Sequence, residues 1–298
     1  MEIQKKIKLG PFTSWLVGGD ADYFCRPTGI DELKSAIEFA QSKKLPIVIM
    51  GGGSNILVSD RGVRGLVICM QKLAGLTTIE EHGRLKIEVL AGTGKNELLK
   101  VFLKSKLAPS LFLAGLPGDV GGGVVMNAGV AEEFKPREFC EIVDWFEVLK
   151  YDNQKIWTEK YTHTQVEWSY RHSAGWQPGI VTKVGISWPL ERDATILEQV
   201  KTANRTRLSK QPLDMPSCGS VFVNPPGNKS AKLIDESGLK GFSIGGAQVS
   251  TKHANFIVNT GNAKASEIHS VIEQVKAVVK SKTGVSLRTE VIYLGDWT

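Results

Sequence analysis

The chain has 298 residues, 42% hydrophobic and 23% charged, a composition that suits packed domains and excludes a disordered or fibrous polypeptide. Its net charge of +6 comes from basic residues interleaved with acidic ones, which favours anionic small molecules over nucleic acid. Gly10, Pro11, Thr13 and Ser14 interrupt the N-terminal apolar residues, and no apolar run approaches the roughly 20 residues that span a bilayer. The expectation is a cytoplasmic chain with no membrane segment.

Thr28 and Asp31 stand in capping-box spacing before Leu33, Ala36, Ile37 and Ala40, whose recurrence predicts an amphipathic helix ending near Pro46. A short buried strand, Ile47–Met50, runs into Gly51-Gly52-Gly53-Ser54-Asn55, and a second, Ile56–Val58, leaves it. Alternation over 85–89 predicts a strand, with His82-Gly83 as a hairpin turn before it. A helix follows over 96–106, and the glycine-rich stretch 115–129 is expected to be non-helical. Strand patterns occupy 143–189, and a polar helix over 193–210 stops at Gln211-Pro212. Beyond it come a helix over 231–236, a longer helix with Ile268, Val271, Ile272, Val275 and Val279 on one face, and a strand over 285–294 carrying Ser286, Arg288 and Glu290 on one face. The fold class is α+β.

Glycine is concentrated where a ligand can approach the backbone. Successive amides in Gly51 to Gly53 suit a pyrophosphate, with Ser54 and Asn55 adding polar groups, although a tight turn explains the run equally well. The stretch containing Gly115, Pro117, Gly118, Gly121 and Gly122, closed by Asn127-Ala128-Gly129, implies backbone passing close to something flat or phosphorylated. Gly92-Thr93-Gly94-Lys95-Asn96-Glu97 imitates a dinucleotide fingerprint, but Glu97 replaces the third glycine and Asn96 replaces the hydroxyl of a phosphate loop, so it reads as a strand-to-helix turn. Tyr170-Arg171-His172-Ser173 offers a guanidinium for a carboxylate or enolate, and Ser220 is a candidate proton donor. Cys25, Cys69, Cys140 and Cys218 are scattered as reduced thiols would be, and the five histidines lack metal-ligand spacing, so no metal is expected.

In this order the motifs resemble the UDP-N-acetylenolpyruvoylglucosamine reductase family, in its shorter subgroup, over nearly the whole chain. The matching stretches are GGGSNILVSD, GLPGDVGGGVVMNAG, Tyr170 to Ser173, QPLDMPSCGSVFVNP, GGAQVSTKHANFIVN and Leu287-Arg288-Thr289-Glu290-Val291. The resemblance implies a two-subdomain FAD-binding fold of the vanillyl-alcohol-oxidase type, also called the PCMH type, plus a C-terminal α+β substrate-binding domain. The implied divisions are 1–72 and 73–209 for the flavin subdomains, 210–284 for the UDP-sugar domain and 285–298 for a strand returning to the flavin region.

It also implies non-covalent FAD with NADPH as electron donor, a UDP-amino-sugar substrate, no nucleic acid and a monomer. FAD would lie against Gly51, Gly52, Gly53, Ser54, Asn55, Gly115, Pro117, Gly118, Gly121, Gly122, Asn127, Ala128 and Gly129. Arg171, Ser220 and Glu290 would be catalytic, and Tyr170, Arg171, Ser220, Asn224 and Gln248 would meet the substrate. The family's reaction would reduce the enolpyruvyl ether to the lactyl ether in peptidoglycan precursor synthesis. The alternative is an FAD-dependent oxidase of the same fold acting on a sugar or alcohol. Three departures from the family pattern stand out: Val223 where lysine is common, Asp119 where threonine is usual, and a divergent segment over 130–140.

Overall fold

A computed structural model describes residues 1–130 and 134–298, so part of the divergent segment, 131–133, lies outside the described residues. Strands β1 (Gln4–Lys8) and β2 (Asp20–Cys25) precede helix α1 (Ile30–Ser42), which buries Leu33, Ala36, Ile37 and Ala40 as their spacing requires. Its entry differs from expectation. Thr28 donates through its amide and hydroxyl to Glu32 Oε2 at 2.7 and 2.8 Å, so Glu32 rather than Asp31 is the acidic partner.

Strands β3 (Ile47–Met50) and β4 (Ile56–Val58) fall on the expected residues, though only Met50 of β3 is buried. β5 (Val63–Cys69) is followed by the hairpin of β6 (Leu76–Glu81) and β7 (Arg84–Leu90). His82 and Gly83 turn it with φ of 50° and 72°, the left-handed pair that matches strand twist.

Helices α2 (Lys95–Lys104), α3 (Ser110–Leu113) and α4 (Val120–Val125) come next. α4 corrects the expectation that the glycine-rich stretch forms no helix. Tertiary packing overrides weak propensity there, because Asp119 caps the turn by accepting from Gly122 N at 2.8 Å and Gly123 lies under the Phe139 ring. Strands β8 (Val143–Tyr151), β9 (Ile156–Thr162), β10 (Glu167–Ser169), β11 (His172–Ala174) and β12 (Ile180–Pro189) lead to α5 (Ile196–Lys210), which ends before Pro212 as expected.

The remaining elements are α6 (Ser230–Glu236), β13 (Ser243–Ile244), β14 (Ala247–Val249), β15 (Ile257–Asn259), α7 (Ala265–Thr283) and β16 (Ile292–Leu294). The terminal strand is shorter than expected. Residues before β16 make separate backbone bonds, Val223 N to Arg288 O at 3.0 Å and Glu290 N to Val221 O at 2.8 Å, instead of a continuous ladder.

Two compact units divide the chain: residues 1–3, 24–52 and 66–205 form the first, and 4–23, 53–65 and 206–298 the second. The first contains the antiparallel sheet β6-β7-β12-β8-β9, in which Val184 stands opposite both Val89 and Phe146. Its core joins that sheet's inner face to Leu98, Phe102, Phe112 and Phe139. β3 pairs in parallel with β5, Ile47 opposite Leu66.

In the second unit α7 packs its buried stripe on β13-β14-β15, and β16 pairs in parallel with β4. Trp15 is fully buried there, its Nε1 donating to Ile257 O at 2.7 Å, while Asn259 Nδ2 returns a bond to Trp15 O at 2.8 Å. These bonds satisfy polar groups that burial would otherwise strand.

Candidate active site

The first unit holds the opening of the first glycine turn and all of the second. Gly52 N donates to Asp119 Oδ2 at 2.6 Å, and Gly122 N donates to Asp119 Oδ1 at 2.8 Å, so one carboxylate joins residues of both turns. A Cβ on Gly51 would lie 2.2 Å from Asp119 Oδ2, and one on Gly52 would lie 3.0 Å from Gly118 Cα. A Cβ on Gly121 would likewise lie 2.8 Å from Ala91 Cβ. The sequence implies close approach to a flat or phosphorylated group at these glycines; the contacts the structure shows at Gly51, Gly52 and Gly121 are with the chain itself. Gly51, Gly52 and Gly118 are half-exposed, Gly122 and Pro117 are exposed, and Gly115 and Gly121 are buried.

Lys95 was assigned by sequence to a plain turn, yet it lies under this site, 5% exposed, donating through Nζ to Pro117 O at 2.8 Å. Burial pulls its ammonium down to about 8, with the Asp119 charge opposing that fall and Arg171 adding to it. Burial also pushes the Asp119 carboxyl up, against the Gly122 amide, Lys95 and the Gly52 amide.

The close of the second turn meets Arg171. Asn127 is 1% exposed, and its side chain donates to Glu138 Oε2 at 3.1 Å and Ser169 O at 3.0 Å and accepts from Cys140 N at 2.9 Å. Arg171 has a left-handed backbone, φ 57°, and its Nη2 donates to Gly129 O at 2.8 Å. Its Nη1 lies 3.6 Å from Glu138 Oε1, and its guanidinium stacks 4.6 Å from the centre of the Tyr170 ring. Gly129 has to lack a side chain here, since a Cβ would fall 2.5 Å from Arg137 O and 2.7 Å from Glu138 Cγ. Glu138 was missed by sequence reasoning because it lies in the divergent segment and its partners are distant in sequence.

In the second unit Ser220 and Glu290 occupy neighbouring backbone segments, joined by the Glu290 N to Val221 O bond and by the bridge between Phe222 and Thr289. Asn55, which ends the first glycine turn, donates through Nδ2 to Glu290 O at 3.1 Å. Gly53 has φ 68°, and a Cβ there would fall 2.0 Å from Phe12 O. Ser54, Ser220 and Glu290 are half-buried. Asn224 Oδ1 accepts from Ser230 N at 3.0 Å at the start of α6, and Gln248 in β14 donates to Gly241 O at 3.3 Å. The structure thus groups Gly51, Gly52, Gly118, Gly121 and Gly122; Asn127, Gly129, Tyr170 and Arg171; and Asn55, Ser220 and Glu290.

A family model described as UDP-N-acetylenolpyruvoylglucosamine reductase, C-terminal domain, matches residues 211–294, and one described as FAD binding domain matches residues 21–158. A Synechococcus protein named UDP-N-acetylenolpyruvoylglucosamine reductase is 39% identical, covering 99% of this chain and 95% of its own length. This chain belongs to the UDP-N-acetylenolpyruvoylglucosamine reductase family. A Caldanaerobacter subterraneus reductase of the same name is also 39% identical over 95% of the chain. The crystal structure of the reductase from Thermus caldophilus superposes with a TM-score of 0.79 at 31% identity, covering 99% of both chains.

The chain is therefore an FAD-dependent oxidoreductase with an α+β FAD-binding fold and the reductase family's C-terminal domain. Its residues fit that cofactor. Gly51, Gly52, Gly118 and Gly122 carry no side chains of their own and are half-exposed or exposed in two turns brought together, and with the Gly52 and Gly122 amides taken by Asp119 the turns would meet a pyrophosphate through their remaining backbone. Among the described residues no cluster of His, Cys, Asp and Glu could hold a metal ion, and no helix is long and apolar enough to cross a membrane.

Proposed function

We propose that this reductase uses NADPH to convert UDP-N-acetylglucosamine enolpyruvate to UDP-N-acetylmuramate, in the cytoplasm and as a monomer, for peptidoglycan precursor synthesis. One observation supports it above others: Asn55 of the first flavin turn bonds to Glu290 O, and Glu290 N bonds to Val221 O beside Ser220. A residue assigned to the flavin, the glutamate and the serine thus follow one another along a hydrogen-bonded chain.

FAD, held at the two glycine turns, would supply the hydride chemistry that links NADPH to the terminal carbon of the enolpyruvyl group. The protein's own tasks are to hold the substrate carboxylate, to favour the enolate and to deliver one proton. Arg171 suits the first two, since a fixed guanidinium already oriented by Gly129 O and Glu138 needs no reorganisation as negative charge develops. Ser220 Oγ gives its proton to the internal carbon, and Glu290 assists. A hydroxyl is a weak acid, so the serine acts only when held in place with bulk water excluded. Hydride and proton together saturate the double bond and leave the lactyl ether. Tyr170, Asn224 and Gln248 are assigned to substrate contacts, with Asn224 also tied to the start of α6.

The test is anaerobic mixing of NADPH-reduced holoenzyme with UDP-N-acetylglucosamine enolpyruvate, followed by the oxidised flavin spectrum. Rapid stoichiometric reoxidation is expected. Flavin that stays reduced until air is admitted would replace this reading with that of an oxidase.

A further inference from the structure

We propose that Asp119 and Lys95 are positioning residues: an internal clamp that fixes the first glycine turn to the second and so presets the backbone that receives the flavin's pyrophosphate. An ordinary helix cap would account for only one of the carboxylate's two bonds, the one from Gly122 N at 2.8 Å. The other, from Gly52 N at 2.6 Å, crosses 67 residues of chain to the first turn, so the carboxylate is a tie between the turns.

The glycines are shaped to this tie. A methyl group on Gly51 would collide with Asp119 Oδ2 at 2.2 Å, so the first glycine of the run is required by the clamp. The turn of Gly92 to Lys95, which imitates a nucleotide fingerprint, braces the second glycine turn from beneath. Val120 N donates to Thr93 O at 2.9 Å, Lys95 N to Gly118 O at 3.0 Å, and Lys95 Nζ to Pro117 O at 2.8 Å.

Lys95 also makes the acid tolerable. A carboxylate beside a pyrophosphate repels it, and one buried without compensation is costly. Both side chains are 5% exposed, and each acts on the other's ionisation. The lysine's further neighbours are Arg171, of like charge, and the Phe139 ring, 5.5 Å from Nζ. Removing the lysine alone leaves the acid's charge to its two amides, and removing the acid alone leaves a buried cation and frees those amides.

The experiment measures FAD release from holoenzyme on dilution, read as recovery of flavin fluorescence, for Asp119→Ala, Asp119→Asn, Lys95→Met and the Asp119→Asn/Lys95→Met pair. Urea unfolding of the same proteins separates loss of fold from loss of grip. Asp119→Ala is expected to weaken FAD binding by about tenfold or more, the scale of losing a charged hydrogen-bond acceptor. The double variant is expected to bind FAD at least about threefold better than the product of its single effects, because it leaves no lone buried charge. FAD affinity within about twofold of wild type in Asp119→Ala, or simple multiplication of the single effects, overturns the clamp. Should Asp119→Ala not fold, Asp119→Asn decides: normal affinity in the folded protein overturns the clamp, and weakened affinity at unchanged urea stability supports it.

Discussion

In the flavin turns of the first unit, backbone assigned to the cofactor is also structural: Gly51 makes room for Asp119, Gly52 for Gly118, and Gly121 for Ala91. Around Ser220 and Glu290 in the second unit the arrangement is reversed. There the main chain does the structural work through Glu290 N and Val223 N, and among the described residues no hydrogen bond holds the Ser220 hydroxyl. Substitution should therefore have opposite consequences in the two regions. The Ser220 hydroxyl can be removed at little cost to folding, whereas a methyl group added to the first region disturbs packing before it reaches chemistry.

The largest expected effect tests the second region. Ser220→Ala should slow substrate-driven flavin reoxidation by roughly 10² to 10⁴, the usual range for a lost general acid, while leaving reduction by NADPH intact. Its thermal midpoint should stay close to that of the parent. Equal slowing of both half-reactions in stopped-flow traces would remove the serine from its role.

Next comes the first region. Gly123→Ala places a Cβ 2.4 Å from Cζ of the fully buried Phe139, so the helix or the ring must shift. A loss of about 1–3 kcal/mol in urea unfolding is expected, as for other overpacked cores, and Phe139→Leu in the same chain should recover part of it. An unchanged midpoint would show that the ring moves aside and that the turn is less constrained than its distances imply.

A smaller effect is expected at Glu138, which holds both Asn127 and Arg171. Glu138→Gln keeps an acceptor for Asn127 but removes the charge beside Arg171 Nη1. Substrate kcat/KM should fall by about tenfold, the worth of one charge-assisted contact, with little change in thermal midpoint. A fall in stability without a change in kcat/KM would make Glu138 a brace for Asn127 alone.

These predictions also mark what the sequence makes legible. The stripe of α7, the stripe of α1 and the His82-Gly83 hairpin follow from period and turn chemistry, because each is decided by residues within one element. α4 was hidden because glycine's poor helix propensity is overridden by Asp119 and Phe139, the latter sixteen positions beyond Gly123. The terminal strand was overextended because alternation predicts an extended chain but not whether a partner strand runs beside it. Candidate site residues lying in motifs can be singled out from sequence, whereas Glu138 and Lys95, whose surroundings are set by distant contacts, cannot. The departure at Asp119 was visible as a residue, but its two amide partners were not.

Asp60 of the second unit offers the sharpest contrast with Asp119, because it grips two amides in the same way from an exposed position. Its Oδ1 and Oδ2 accept from Ala265 N and Ser266 N, both at 2.9 Å, at the start of α7. Burial pushes the Asp60 carboxyl up, but bonds from Ser266 and Ala265 and the Lys264 charge outweigh it and hold the group below its ordinary value. A lowered native pKa means that its stabilisation is present above the ordinary carboxyl pKa and is lost as pH falls through the native one. Asp60→Ala should therefore cost about 1 kcal/mol at neutral pH, as a lost helix cap does. Below about pH 4 the gap between the two urea-unfolding midpoints should close, since the parent loses the same interaction by protonation. At Asp119 the same two-amide grip lies in the interior and burial wins, so its carboxyl is raised instead. A stability gap at Asp60 that widens on acidification would show that the amides of α7 do not hold it in the charged form.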